Sequence, residues 1–170
     1  MSITLDEVWL TCEEFPDYSI SSHGRVRNEH RQSIVQQSLT LQGAPKVSLS
    51  GDGVRRTLSV KVLVADLFVE NDRDPEIFNT PIHLDGDQTN CRCENLMWRP
   101  RWFACKYTQQ FTAVKRYEGV GPIVNLKSGM VFEDIVHAST VNGLLFKDLE
   151  ESIHANGVVF PSYQMFDWAK

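Results

Sequence analysis

The chain has 170 residues and a formal net charge of −5, with 42% hydrophobic and 23% charged residues. That is the composition of an ordinary globular protein with material for one domain or two small ones. No apolar run approaches the ~20 residues of a membrane helix, no basic and apolar leader opens the chain, and the acidic balance argues against a nucleic-acid binder that works by bulk charge.

Residues 1–58 read as a strand-rich module. Glu13-Glu14-Phe15-Pro16-Asp17 is a turn, and Tyr18-Ser19-Ile20 opens an alternating segment that Gly24 breaks. In Arg25-Val26-Arg27 the strand period sends Val26 one way and both arginines the other. Two arginines on one face suit backbone phosphates, and suit a solvated strand face equally well. Lys46-Val47-Ser48-Leu49, Gly51-Asp52-Gly53 and Val54 to Leu58 read as a hairpin. Val60 to Phe68 has its apolar residues at helical spacing.

Asn71 to Pro75 is a polar linker, and a strand–loop–strand–helix unit follows from about Phe78 to Phe111. Ile82 and Leu84 flank His83 in a short strand after Pro81, Asp85-Gly86 makes a turn, and Leu96 to Trp98 returns as a second strand. A helix begins after Pro100. Trp98, Trp102 and Phe103 read as core aromatics, with a ligand-facing Trp102 as the alternative. Such a unit can hold one imidazole over a phosphate. Tyr117 to Gly121 reads as a hinge, and the last third as a strand (Ile123 to Leu126), a glycine turn, helices over Glu133 to Val141 and Phe146 to Ile153, and a strand from Tyr163 to Trp168. Two short helices split by Asn142-Gly143 fit a helix-turn-helix-like module. Asp148, Glu150 and Glu151 on the second make it a poor partner for phosphates and fit a protein contact better.

Charge is unevenly spread. Arg92, Arg99, Arg101, Lys106, Lys115 and Arg116 stand against one acid, Glu94, so the middle of the chain carries the electrostatic load if DNA is bound. Cys12, Cys91, Cys93 and Cys105, without a leader, read as reduced thiols of a cytoplasmic protein. Cys91-x-Cys93 with Cys105 is a weak zinc pattern, because structural zinc favours wider spacing and a fourth ligand.

The run His83-x-Asp85-Gly86, Asn90, Asn95-Leu96-x-Trp98 resembles the ββα core (His-Me finger) of HNH homing endonucleases, nucleases common in phages and introns. Lys61 to Phe68 is similar to the helix before that core, with Lys61 where the family commonly has His. Trp9 and Tyr18 to Arg27 resemble the family's N-terminal module, and Pro122 to Phe132 onward is more loosely similar to its C-terminal DNA-binding repeat. The resemblance implies an α+β chain of three modules: strand-rich 1–58, HNH-like 59–116, and nuclease-repeat-like 117–170.

It also implies roles. His83 matches the general base, Asn95 the middle Asn that braces the loop, and Asn90 assists it. Arg25, Arg27 and the six basic residues of the middle become candidate DNA contacts. The family's cation, Mg²⁺ or Mn²⁺, needs oxygen donors. The family places Asp or Asn just before the His, where Ile82 stands, and Asn or His nine residues after the middle Asn, where Ala104 stands. No metal ligand is therefore assigned and no cofactor expected unless Asp85 or Asp87 substitutes. The reading is a DNA-binding protein descended from an HNH homing endonuclease, impaired or inactive in cutting, such as a phage-encoded regulator in a host cytoplasm. Its alternatives are an active metal-dependent nickase based on His83, and a module whose acidic last third contacts a host protein; no membrane partner is expected.

Overall fold

The computed structural model describes residues 6–51 and 53–169. The chain is α+β and forms two compact units, one running through His83 with Asp87–Arg101, the other comprising Leu84–Gly86 and the chain from Trp102 onward.

The first unit opens with an antiparallel meander of β1 (Trp9–Thr11), β2 (Tyr18–Ser21), β3 (Val26–Asn28) and β4 (Ser33–Ile34). β2 reads as alternating, yet all four of its residues are buried. Ser21 is satisfied locally, its Oγ accepting from the Arg25 amide at 2.9 Å. β5 (Ser38–Leu39), β6 (Pro45–Gly51) and β7 (Val54–Ser59) make a second sheet, and the expected hairpin is the β6–β7 pair. Asp52 of its expected turn lies outside the described residues. Helix α1 (Val60–Phe68) has the expected bounds and buries Val60, Leu63, Val64 and Ala65. They join Phe15, Tyr18, Ile20, Val26, Val47, Leu49 and Leu96 in one core.

β8 (Thr80–His83) and β9 (Leu96–Arg99) form a two-stranded sheet in which His83 pairs with Leu96 and Ile82 with Met97. Pro81 lies inside β8 rather than ahead of it, and Leu84 is already in the turn. A two-stranded sheet has an edge on each side, where a residue without an N–H is tolerated.

The second unit contains α2 (Arg101–Gln110) from Trp102 onward, a 3₁₀ segment at Phe111–Arg116, β10 (Ile123–Asn125), β11 (Val131–Phe132), α3 (Ile135–Asn142), α4 (Phe146–His154), β12 (Val158–Val159) and β13 (Gln164–Trp168). Its antiparallel sheet has the order β11-β10-β13-β12, over a core of Ile123, Phe132, Ile135, Leu144, Phe146, Leu149 and Phe166. Of the expected boundaries that move, three do so for a local reason. α3 starts two residues late because Asp134 caps it, its carboxylate accepting from the His137 amide at 2.9 Å. β10 stops at Asn125 because that side chain accepts from the amides of Lys127 and Ser128 at 2.9 and 3.1 Å. β13 starts at Gln164 because Tyr163 adopts φ of 55°. Gly143, at φ 59°, separates α3 and α4 as the Asn142-Gly143 pair suggested. The acids of α4 have partners nearby: Glu150 faces Arg116 at 3.8 Å and Glu151 faces Lys147 at 3.4 Å. No described helix is long and apolar enough to cross a membrane.

Candidate functional site

His83 ends β8 because a β-strand carries it there and the Leu84–Gly86 turn takes the chain away. The imidazole is 6% exposed. Its Nε2 lies 3.7 Å from Cys91 Sγ, a neighbour the residue pattern did not indicate. Burial pushes the Cys91 thiol up to about 11, so it is protonated at neutral pH. The loop that returns to β9 is closed by Asn95, which is 8% exposed and donates from Nδ2 to the Asn90 carbonyl at 2.9 Å. Asn95 thus braces the loop by its amide, on Asn90's backbone.

The N-terminal module supports the same loop. The Cys93 amide donates to the Ser22 carbonyl at 2.8 Å. Gly24, at φ 85°, lies so near Cys91 that an added Cβ would sit 3.0 Å from the Cys91 Cβ. The glycine that breaks the strand pattern is therefore also what lets this loop approach.

The donor set does not suit a hard cation. Ile82, just before His83, is 2% exposed, and Ala104 is 6% exposed, so both are core aliphatics. Asp87 Oδ1 accepts from the Thr89 hydroxyl at 2.7 Å and the Thr89 amide at 2.8 Å. Those bonds hold its carboxyl below the usual range, with a further contribution from His83. Cys91 offers a protonated, soft sulfur, which hard cations disfavour. Among the described residues no three His, Cys, Asp or Glu side chains converge as a cage. The thin zinc pattern goes the same way: Cys91 is buried, Cys93 lies against Glu94, and Cys105 is exposed.

The basic candidates divide. Arg25 and Arg27 share a face, with guanidinium carbons 5.5 and 4.6 Å from the Trp9 ring centroid, while Val26 is fully buried. Each has its own carboxylate: Arg25 pairs with Glu7, and Arg27 with Glu29 at 2.9 Å. Arg92 pairs with Glu94 and donates to His23 at 2.9 Å. Arg99 is 8% exposed and donates to the Trp98 carbonyl, so its role in the fold is internal. Arg101, Lys106, Lys115 and Arg116 are exposed. Of the aromatics, Phe103 is fully buried and Trp98 donates to the Val69 carbonyl, whereas Trp102, expected in the core, is 54% exposed.

The Arg25 hydrogen bond holds the Glu7 carboxyl down, from an ordinary 4.5 to about 2. A carboxyl depressed in the folded state stabilises the fold above its unfolded value and loses that effect as pH falls through the folded one. The Arg25 side chain is solvent-exposed, so the effect is small. Thermal melts between about pH 6 and about pH 2 should therefore show an acid-side loss that is smaller in Glu7→Gln, and identical slopes would discount the pair.

The geometry of the first unit is thus an imidazole ending one strand, an amide-braced loop and a return strand. The NUMOD4 motif matches residues 7–50. The chain is similar to two uncharacterized HNH endonucleases of Acanthamoeba polyphaga mimivirus. It is 34% identical to one over 84 residues (49% of this chain, 24% of the relative), and 29% identical to the other over 143 residues (81% and 35%). It thus spans about a quarter to a third of the length of these curated relatives. Its fold is similar to that of the HNH homing endonuclease I-HmuI, which binds and cleaves DNA, with a TM-score of 0.54 at 19% identity over 95% of this chain and 98% of that one. In motif, sequence and fold the chain is thus similar to HNH endonucleases.

Proposed function

We propose that the chain binds DNA as a descendant of an HNH homing endonuclease and does not cut it efficiently. The observation that carries this reading is the burial of Ile82 and Ala104, at 2% and 6% exposure, where the family resemblance expects oxygen donors for a divalent ion. Aliphatic carbon cannot bind Mg²⁺ or Mn²⁺. A lone imidazole acting as general base contributes about 10²–10⁴-fold. Enzymes as a class supply roughly 10⁶-fold or more, so His83 alone falls short. The retained frame, with Asn95 across its loop and exposed Arg101, Lys106, Lys115 and Arg116, suits attachment to a phosphate backbone.

A second reading has one observation in its favour. Among the influences that hold the Asp87 carboxyl low, the smallest is a charged His83 imidazole, so a carboxylate lies within electrostatic reach of that ring. Against it, Thr89 already donates twice to Asp87 Oδ1.

Binding is tested by fluorescence anisotropy of labelled duplex DNA, in Mg²⁺ and in chelator. The same affinity is expected in both, with intact DNA recovered. The log–log salt slope should be about −0.9 per phosphate contacted. Absent or salt-insensitive binding would sink the DNA reading.

A further inference from the structure

The second unit displays an aromatic surface whose inner side rests on the buried Phe103, 5.8 Å from Trp102 and 5.9 Å from Phe160. Trp102, on the first turn of α2, is 54% exposed and stacks on Phe160, with centroids 5.5 Å apart and planes 25° apart. Tyr163 meets Phe160 edge-on at 5.9 Å and 87°, and is 62% exposed. Its φ of 55° is one that bulky residues rarely adopt. The Tyr163 amide donates to the Val159 carbonyl at 2.8 Å, which holds this loop in shape. Burial does not compensate that backbone, because the ring is held out in solvent. Lys106, one turn along α2, puts its ammonium 5.3 Å from the Trp102 ring centroid. α2 carries two basic residues and no acidic one, and the Lys106 ammonium acts on the partly buried Asp148 carboxyl.

We propose that Trp102, Phe160 and Tyr163, with Lys106 beside them, form a stacking platform for unpaired DNA bases. The inference rests on the DNA-binding reading and extends it to the state of the DNA preferred. Flat rings at the surface accept any base by its π-face, and an adjacent ammonium meets the phosphate that accompanies it. A paired base has its faces covered by its neighbours, so the platform discriminates opened from closed DNA without reading sequence. The all-basic charge of α2 favours a nucleic acid over a protein surface as the occupant.

The test compares anisotropy of the full chain on a duplex and on the same duplex with a central unpaired bubble. About tenfold tighter binding to the bubble is expected. Trp102→Ala and Tyr163→Ala should each reduce that preference toward parity while leaving duplex affinity within about twofold, and Trp102→Phe should retain most of it. Thermal melts confirm folding; if Trp102→Ala fails to fold, the exposed Tyr163→Ala carries the test. Equal wild-type affinity for bubble and duplex, or a preference unchanged in both variants, overturns the platform and leaves duplex binding standing. No binding to either DNA overturns the DNA reading itself. A wild-type dimer in sedimentation that Trp102→Ala dissociates assigns the rings to a second copy and overturns the platform as well.

Discussion

Ile82→Asp combined with Ala104→Asn is expected to convert the protein into a nickase that needs Mg²⁺ or Mn²⁺. These are the two positions at which the family resemblance calls for oxygen and this chain supplies carbon. Two other residues that the resemblance calls for are in place: His83 ends its strand, and Asn95 holds the loop through the Asn90 carbonyl at 2.9 Å. A bound divalent ion supplies several kcal/mol of charge stabilisation in phosphoryl chemistry, and each 1.36 kcal/mol is tenfold in rate, so a gain of about 10³-fold over wild type is expected. The change has a cost, because Ile82 is 2% exposed and a carboxylate there is buried until a cation reaches it. Ile82→Asn, which puts a neutral oxygen donor in the same place, is the milder companion. Circular dichroism checks folding, and nicking should vanish in chelator and when His83→Ala is added. A folded double variant that leaves plasmid intact would show that more than two side chains separate this chain from cutting.

Gly86→Ala should be the most damaging single-methyl change in the second unit. The Asp85-Gly86 pair is legible as a turn, and Gly86 sits at φ 77°. A Cβ there would lie 2.5 Å from Phe111 Cγ and Cδ2, so the ring has to move as a whole. Phe111 in turn meets Tyr107 and Phe146 edge-on at 5.5 and 5.6 Å. The left-handed backbone alone costs an alanine about 1–2 kcal/mol, and forcing atoms into a packed site adds about 1–3 kcal/mol. Gly119 isolates the second contribution. It too has positive φ, 68°, but nothing within 4 Å of an added Cβ. Chemical denaturation should show Gly86→Ala losing clearly more stability than Gly119→Ala. Equal losses would mean that the Phe111 contact is not tight in solution.

The parts of the fold visible in the residues are those in which one local signal decides. Apolar spacing gives α1, the Asp85-Gly86 turn and flanking short strands give β8 and β9, and the family resemblance gives Asn95 its bracing role. What escapes is set by partners distant in sequence. Cys91 against His83, Gly24 against Cys91, and Glu7 on Arg25 all depend on loops folding back. Burial of Arg99 and exposure of Trp102 run against residue type, because the Trp98 carbonyl receives the one and Phe160 supports the other. Two-residue strands such as β11 and β12 are too short to show a period.

Whether the frame has lost its cutting chemistry is read most directly from nicking of supercoiled plasmid by the wild-type chain. A Mg²⁺ and Mn²⁺ series is run beside His83→Ala, with gel shift of the same DNA. A shifted band with the plasmid still supercoiled, alike for both proteins, is the expected result. Nicked circles that require the divalent ion and disappear with His83→Ala would contradict it.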